Sequence, residues 1–150
     1  MNDHVNHPTH YTSHPSGIEI IEMTRSMLTC EGNMFKYVSR ADLKGDATDN
    51  LLKAKKYNEF ADDVEISSLQ IANQFKLARF VAGEPNPVKA TLFRLIGGQA
   101  YSPERRDAID YLLDMLITDA EAVEEAKLNE LVDAARAKPK PKRSQTVRRR

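Results

Sequence analysis

The 150-residue sequence has one cysteine and no tryptophan. A single thiol, Cys30, closes no internal disulfide and builds no zinc site by itself. It reads as a small, semi-buried side chain near a helix junction. No apolar run reaches about 18 residues, so no membrane span is expected. The first residues, MNDHVNHPTHY, lack the basic-then-apolar order of a secretory signal, which points to a cytoplasmic protein. GxxxxGKS/T is absent, and with it a P-loop; GxGxxG, HExxH and GxSxG are absent too. No stretch alternates apolar and polar residues for long, and no repeat of fixed period occurs. These absences leave an all-α chain, a small helical bundle, as the expected class.

Charge is balanced in total, with 22 basic and 22 acidic residues, but not in distribution. Residues 138–150, KPKPKRSQTVRRR, hold seven Lys or Arg and no acid. The body that remains is near −7, with 15 basic against 22 acidic residues. A basic segment behind an acidic body points to contact with an anion, with nucleic acid or with a neighbouring subunit, and the same composition also describes a solvated, dispensable tail. Its Pro and Lys content predicts disorder in isolation.

Four parts follow from composition and periodicity. Residues 1–17 read as an extended arm, because His7-Pro8 and His14-Pro15 disfavour helix at each histidine. Residues 18–64 read as a helical core, with helices over 18–29, 31–42 and 48–64. In the first, Ile18, Ile21 and Leu28 fall on one side. Lys44-Gly45-Asp46 ends the second, and Asp46 or Thr48 caps the third, whose stripe is Leu51, Ala54 and Ala61, widened by Tyr57, Phe60 and Val64. Residues 65–137 add helices over 66–82, with Leu69, Ala72, Phe75 or Lys76 and Phe80 inward, over 88–96, and over 103–136. Ser102 caps the last of these and Pro103 opens it. Its stripe runs Ile109, Leu112, Leu113, Leu116, Ile117, Ala120, Val123, then thins to Leu128, Leu131 and Val132, so this end is expected to pack on another subunit. Residues 138–150 form the disordered basic tail.

One helical face stands out. Asn33, Lys36, Tyr37 and Arg40 fall at i, i+3, i+4 and i+7, while Met34, Phe35, Val38 and Ala41 point the other way. Two cations, an amide and a phenol on one stripe suit a phosphorylated small molecule: Arg grips phosphate oxygens with a fork, and Lys adds a point charge. The same spacing also describes an ordinary solvated face. The arm adds His7 and His10, which can donate to phosphate, and Tyr11, which can stack on a base. Lys53, Lys56 and Tyr57 sit a turn apart on the third helix. Glu19 and Glu22 lie a turn apart at the start of the first, either as an ordinary carboxylate pair at a helix start or as groups that hold a metal or orient the cations. The arm histidines lack a helix to fix their spacing, so no metal site is expected from them.

Taken in order, Val5-Asn6-His7-Pro8-Thr9-His10-Tyr11, Gly17-Ile18-Glu19 with Glu22, Gly32-Asn33-Met34-Phe35-Lys36-Tyr37 with Arg40 and Lys44, and Leu51, Lys53-Ala54 and Tyr57 resemble a small phage protein family labelled nucleotide kinase-like. The resemblance covers about residues 5–62, and the acid that the pattern sets directly before Leu stands here as Asp49, with Asn50 between. It implies transfer of a phosphoryl group from ATP or another nucleoside triphosphate to a (deoxy)nucleoside monophosphate, or nucleotide binding without turnover. It implies a homo-oligomer acting in the cytoplasm of an infected bacterium. On it, His10, Lys36 and Arg40 would be catalytic, and His7, Tyr11, Glu19, Asn33, Tyr37, Lys53 and Tyr57 would bind nucleotide. Magnesium, if used, falls to Glu19 or Glu22. The arm would fold back as a lid over the stripe.

Overall fold

The structure, a computed structural model, describes residues 8–61 and 71–137, with side chains of the second stretch from Asn73 onward. Among the described residues every regular element is a helix, so the chain is all-α as composition implied. The order is α1 (Thr9–Thr12), α2 (Ile20–Thr24), α3 (Thr29–Arg40), α4 (Ala47–Phe60), α5 (Ile71–Gly83), α6 (Pro87–Gly98) and α7 (Pro103–Ala137). Among these residues no helix is long and apolar enough to cross a membrane.

Local chemistry sets most of the ends. Asp46 caps α4 by accepting from the Asp49 amide at 2.8 Å, and Asn86 caps α6 through the amides of Val88 and Lys89. Ser102 accepts from the Arg105 amide at 3.1 Å and starts α7. The tight turn between α3 and α4 needs Gly45, whose φ of +70° most side chains avoid.

The core is built on three phenylalanines. Phe35 of α3, Phe80 of α5 and Phe93 of α6 meet with ring centroids 4.5–5.1 Å apart, all fully buried. Met23, Met34, Val38, Leu92, Ile96, Ile109 and Leu113 close around them. Each large side chain so buried contributes roughly 1.5–3 kcal/mol.

Several expectations are corrected. The helix expected over 18–29 is one short turn, Ile20–Thr24. The chain bends at Arg25–Leu28, where Asn73 of α5 holds the Ser26 hydroxyl, so that α2 and α3 can bury separate faces. Ile21, Leu28, Phe60 and Val123, expected inside, are exposed, and of the alternatives Phe75 or Lys76 it is Phe75 that is exposed while Lys76 is half-buried. The arm is not wholly extended, because α1 fits one helical turn between its two prolines. The third helix stops at Phe60, with Ala61 already extended. Expectations for His7, Val64, Leu69, the Ala72 side chain and the basic tail fall outside the described residues.

A buried ion pair ties α7 to the body. Arg105 reaches Glu31 of α3 at 3.2 Å, with both side chains at least 96% buried. The same guanidinium donates to the carbonyls of Leu95 and Ile96 at the end of α6. Further along, Asn58 of α4 donates to the Arg106 carbonyl and to Asp110. Beyond Ala120 the helix leaves the body, and every residue from Glu121 to Ala137 is exposed.

Candidate functional site

The arm is pinned at two points. His14 stacks on Phe80, ring centroids 3.6 Å apart and 10° from parallel. Its Nδ1 accepts from the Ser16 amide at 3.2 Å, which leaves Nε2 to donate to Glu84 at 3.3 Å. Burial pushes the His14 pKa below its ordinary value, against the pull of Glu84. Ser16 lies so close to α5 that a Cβ on Gly83 would stand 2.9 Å from its backbone nitrogen. The second pin is Tyr11, whose hydroxyl accepts from Arg40 at 3.2 Å.

Between these pins the arm leaves a cleft of about 290 Å³ against α2 and α3. Pro8, Ile20 and Ile21 give it apolar walls, and Tyr11 adds an aromatic ring. Thr12 and Thr24 supply hydroxyls, while Glu19 and Lys36 bring one charge of each sign. The Lys36 ammonium is held 2.7 Å from the Asn33 amide oxygen and 5.0 Å from the centre of the Tyr37 ring. Asn33 in turn donates to the Thr29 carbonyl. So the side chain of Lys36 is aimed before any ligand arrives.

Arg40 is a different kind of residue from the one expected. Its Nε donates to Asn50 at 2.9 Å, one Nη donates to Tyr11, and its plane lies over Tyr37 at 4.5 Å. It is a strut between arm, α3 and α4 and does not line the cleft. His10 also stands outside the lining: its ring packs on Tyr11 with centroids 4.2 Å apart. Its Nε2 is buried without a hydrogen-bond partner among the described residues. Burial first, then the charges of Lys44 and Arg40, lower its pKa, so it is neutral in a positive field.

The remaining expected residues separate. Tyr37 and Tyr57 stack on each other, 5.8 Å apart and 21° from parallel, behind the polar stripe. Lys53 is on the exposed side of α4, bonded to Asp49 at 2.6 Å, and is not part of the cleft. Glu22 accepts from the Glu19 amide and pairs with Lys76 of α5, which holds its carboxyl below the usual range. Glu19 is the carboxylate that lines the cleft, and its side chain also closes the capping box of α2 with Glu22. The arrangement brings Tyr11, Glu19 and Lys36 to one cavity, with Asn33 positioning the lysine.

A family model described as a protein of unknown function, DUF3310, matches residues 5–59. The matched stretch takes in the arm, α2, α3 and nearly all of α4, and therefore every wall of the cleft. No curated protein and no solved structure matches this chain. The resemblance to a nucleotide kinase-like family is thereby corrected: the family found over those same blocks carries no assigned function, and nothing in the comparisons indicates a nucleotide kinase family.

Two residues missed by sequence reasoning matter here. Asn50 is 97% buried and accepts from Arg40 while donating to the carbonyls of Lys44 (2.7 Å) and Asp46 (2.8 Å). A carboxylate at that position could accept but not donate, which explains an amide beside Asp49. The signal was an amide at a stripe position, since Asn50, Ala54 and Asn58 fall four apart on the buried face of α4. His14 is the other, and Phe80, its partner, is 66 residues away and invisible to local spacing.

Proposed function

We propose that the chain binds a phosphorylated small molecule, with a nucleoside monophosphate as the fitting class, in the cleft between the arm and α2–α3. The observation that carries this reading is the preset Lys36 ammonium at an apolar cleft that also holds Tyr11 and Glu19. Tyr11, Pro8 and Ile20 offer flat and apolar surface to a base. Lys36 meets the phosphate. Glu19 accepts from a sugar hydroxyl or an exocyclic amine. A volume of about 290 Å³ is near the small end of ligand pockets and suits one mononucleotide.

Binding takes precedence over phosphoryl transfer. Transfer works by positioning and by neutralising charge around the moving group. Of the three cations the sequence offered, Arg40 is committed to Asn50, Tyr11 and Tyr37, and Lys53 lies on another face. A single lysine at the cleft supports capture of one nucleotide and calls for neither a donor triphosphate nor magnesium. Such ligands are met in a cytoplasm, the compartment that a lone cysteine also suits.

Isothermal titration with the common ribo- and deoxyribonucleoside monophosphates, each beside its unphosphorylated nucleoside, tests the reading. A monophosphate is expected to bind and its nucleoside to bind at least tenfold more weakly. At 100 times the dissociation constant the ligand should stabilise the fold by about 2.7 kcal/mol. Lys36→Ala should abolish that preference, whereas Lys53→Ala should leave it intact. Silence from every monophosphate, or equal loss in both variants, overturns it.

A further inference from the structure

The outer half of α7 buries no side chain against the described residues. Residues 121–137 make a segment about 25 Å long on which every residue is exposed. Isolated helices of that length are marginal in water, and packing of an apolar face is what ordinarily holds them. This segment has such a face. Leu128, Leu131, Val132 and Ala135 fall at i, i+3, i+4 and i+7, with Leu128 61% and Leu131 68% exposed.

Charge says what covers it. The inner end of the segment, with the turn before it, is acidic: Asp119, Glu121, Glu124 and Glu125, with no base among residues 119–125. The outer end and the residues after it are basic: Arg136, Lys138, Lys140, Lys142 and Arg143, with no acid among residues 136–143. Two copies laid parallel would set acid beside acid and base beside base. Laid antiparallel about Asn129 and Glu130, they set Leu128 of one against Leu131 of the other. Glu121 and Glu124 then flank the level of the second copy's Arg136, beyond which its sequence continues basic. At the same level α7 forms a groove of about 330 Å³ with the α3–α4 turn, lined by Asp42, Asp46, Asp119 and Glu124 against Lys89 and Lys127. Lys89 is paired with Asp42, so the groove keeps a net acidic lining where the second copy's basic segment arrives.

We infer that residues 121–137 pair antiparallel with the same residues of a second copy of this chain, and that the basic segment 138–150 of each copy lies along the acidic groove of the other. The face is self-complementary, as a two-fold dimer requires. It is independent of the nucleotide reading, because no residue of the cleft takes part.

Sedimentation velocity on the full chain tests it. The unmodified chain is expected to sediment as a dimer at tens of micromolar, and Leu128→Asp with Leu131→Asp as a monomer that retains the thermal transition of the body. Both changes are at exposed positions, so loss of the dimer cannot come from loss of the core. A monomer at every concentration, which is also what an intramolecular docking of the basic tail would give, overturns the proposal, as does a dimer that survives the double change. Direction is read by spin labels at Ala122→Cys in a Cys30→Ala background. Antiparallel packing sets the two labels about 22 Å apart along the axis, and parallel packing brings them to about 10 Å. A short distance overturns the pairing. Raising salt should weaken the antiparallel dimer, since opposite charges are screened; a dimer that tightens with salt contradicts it.

Discussion

The two ends of the described chain extend from the same core in opposite ways. The N-terminal arm has little regular structure, yet it is tied down by named polar contacts: His14 to Phe80 and Glu84, and Tyr11 to Arg40. The outer half of α7 is regular over five turns, yet its residues 121–137 are all exposed. Regularity and attachment are thus separate properties. The arm is ordered by side chains that reach across to it, each worth about 1 kcal/mol. The outer helix carries an apolar face that no described residue covers. The ties make a cleft, and the uncovered face is what the proposed dimer would use.

The sharpest way to break this contrast is at the point where α7 passes from anchored to free. Arg105→Ala removes the partner of a buried carboxylate. Glu31 would be left buried without its cation, with one oxygen already lacking a hydrogen-bond partner among the described residues. Breaking such a pair from one side costs about 3–5 kcal/mol. The carbonyls of Leu95 and Ile96 lose their donor as well. Urea denaturation should show that loss. A joint change, Arg105→Met with Glu31→Leu, should cost much less, because it leaves no uncompensated charge. A cost under about 1 kcal/mol for Arg105→Ala alone would mean that α7 is held by its apolar stripe and not by this pair.

A middle-sized effect belongs to Asn50, which supports the arm indirectly through Arg40. Asn50→Asp keeps an acceptor for Arg40 but takes the side-chain donor from the Lys44 carbonyl and leaves the Asp46 carbonyl only the backbone amide of residue 50. The expected cost is about 1–3 kcal/mol in chemical denaturation. Asn50→Ala should also loosen the arm, seen as faster amide exchange at Tyr11 than in the unmodified chain. Unchanged exchange there would show that His14 alone holds the arm.

How much of this was readable beforehand follows the same divide. Local signals were legible: the caps Asp46 and Ser102, the Lys44-Gly45-Asp46 stop, the polar stripe of Asn33, Lys36, Tyr37 and Arg40, and the thinning of the α7 stripe past Val123. These depend on neighbours within a turn or two. What escaped depends on residues far apart in the chain. Ile18, Ile21 and Leu28 share a face only if one helix runs through them, and the Asn73–Ser26 contact, 47 residues apart, is what bends the chain between. Arg40 and Lys36 look equivalent on a helical wheel. Asn50, one turn into the next helix, is what turns Arg40 into a strut and leaves Lys36 to face the cleft. Of the candidate site, sequence therefore gave the residue types and the face, and long-range hydrogen bonds decided which of them meet.

The smallest expected effect is also the most selective for the arm. All four histidines of the chain lie within residues 4–14 and none on the outer helix, so a histidine-dependent pH effect reports on the arm. His10 and His14 both have pKa values below the ordinary 6.5, chiefly because burial disfavours the imidazolium. The unfolded chain therefore takes up protons at a higher pH than the folded one. Stability is complete above pH 6.5 and falls as pH drops through 6.5 toward the lowered folded values. Carboxyls held down by their partners, Glu22 first by Lys76 and Glu59 first by Lys56, contribute a loss only below about 4.5, outside this window. Thermal midpoints at pH 7.5 and 5.0 should thus differ by less in His14→Asn than in the unmodified chain, while the dimer contact through Leu128 and Leu131 should persist across the range. A pH slope that is the same with and without His14 would move the arm's hold onto the hydrogen bond between Tyr11 and Arg40.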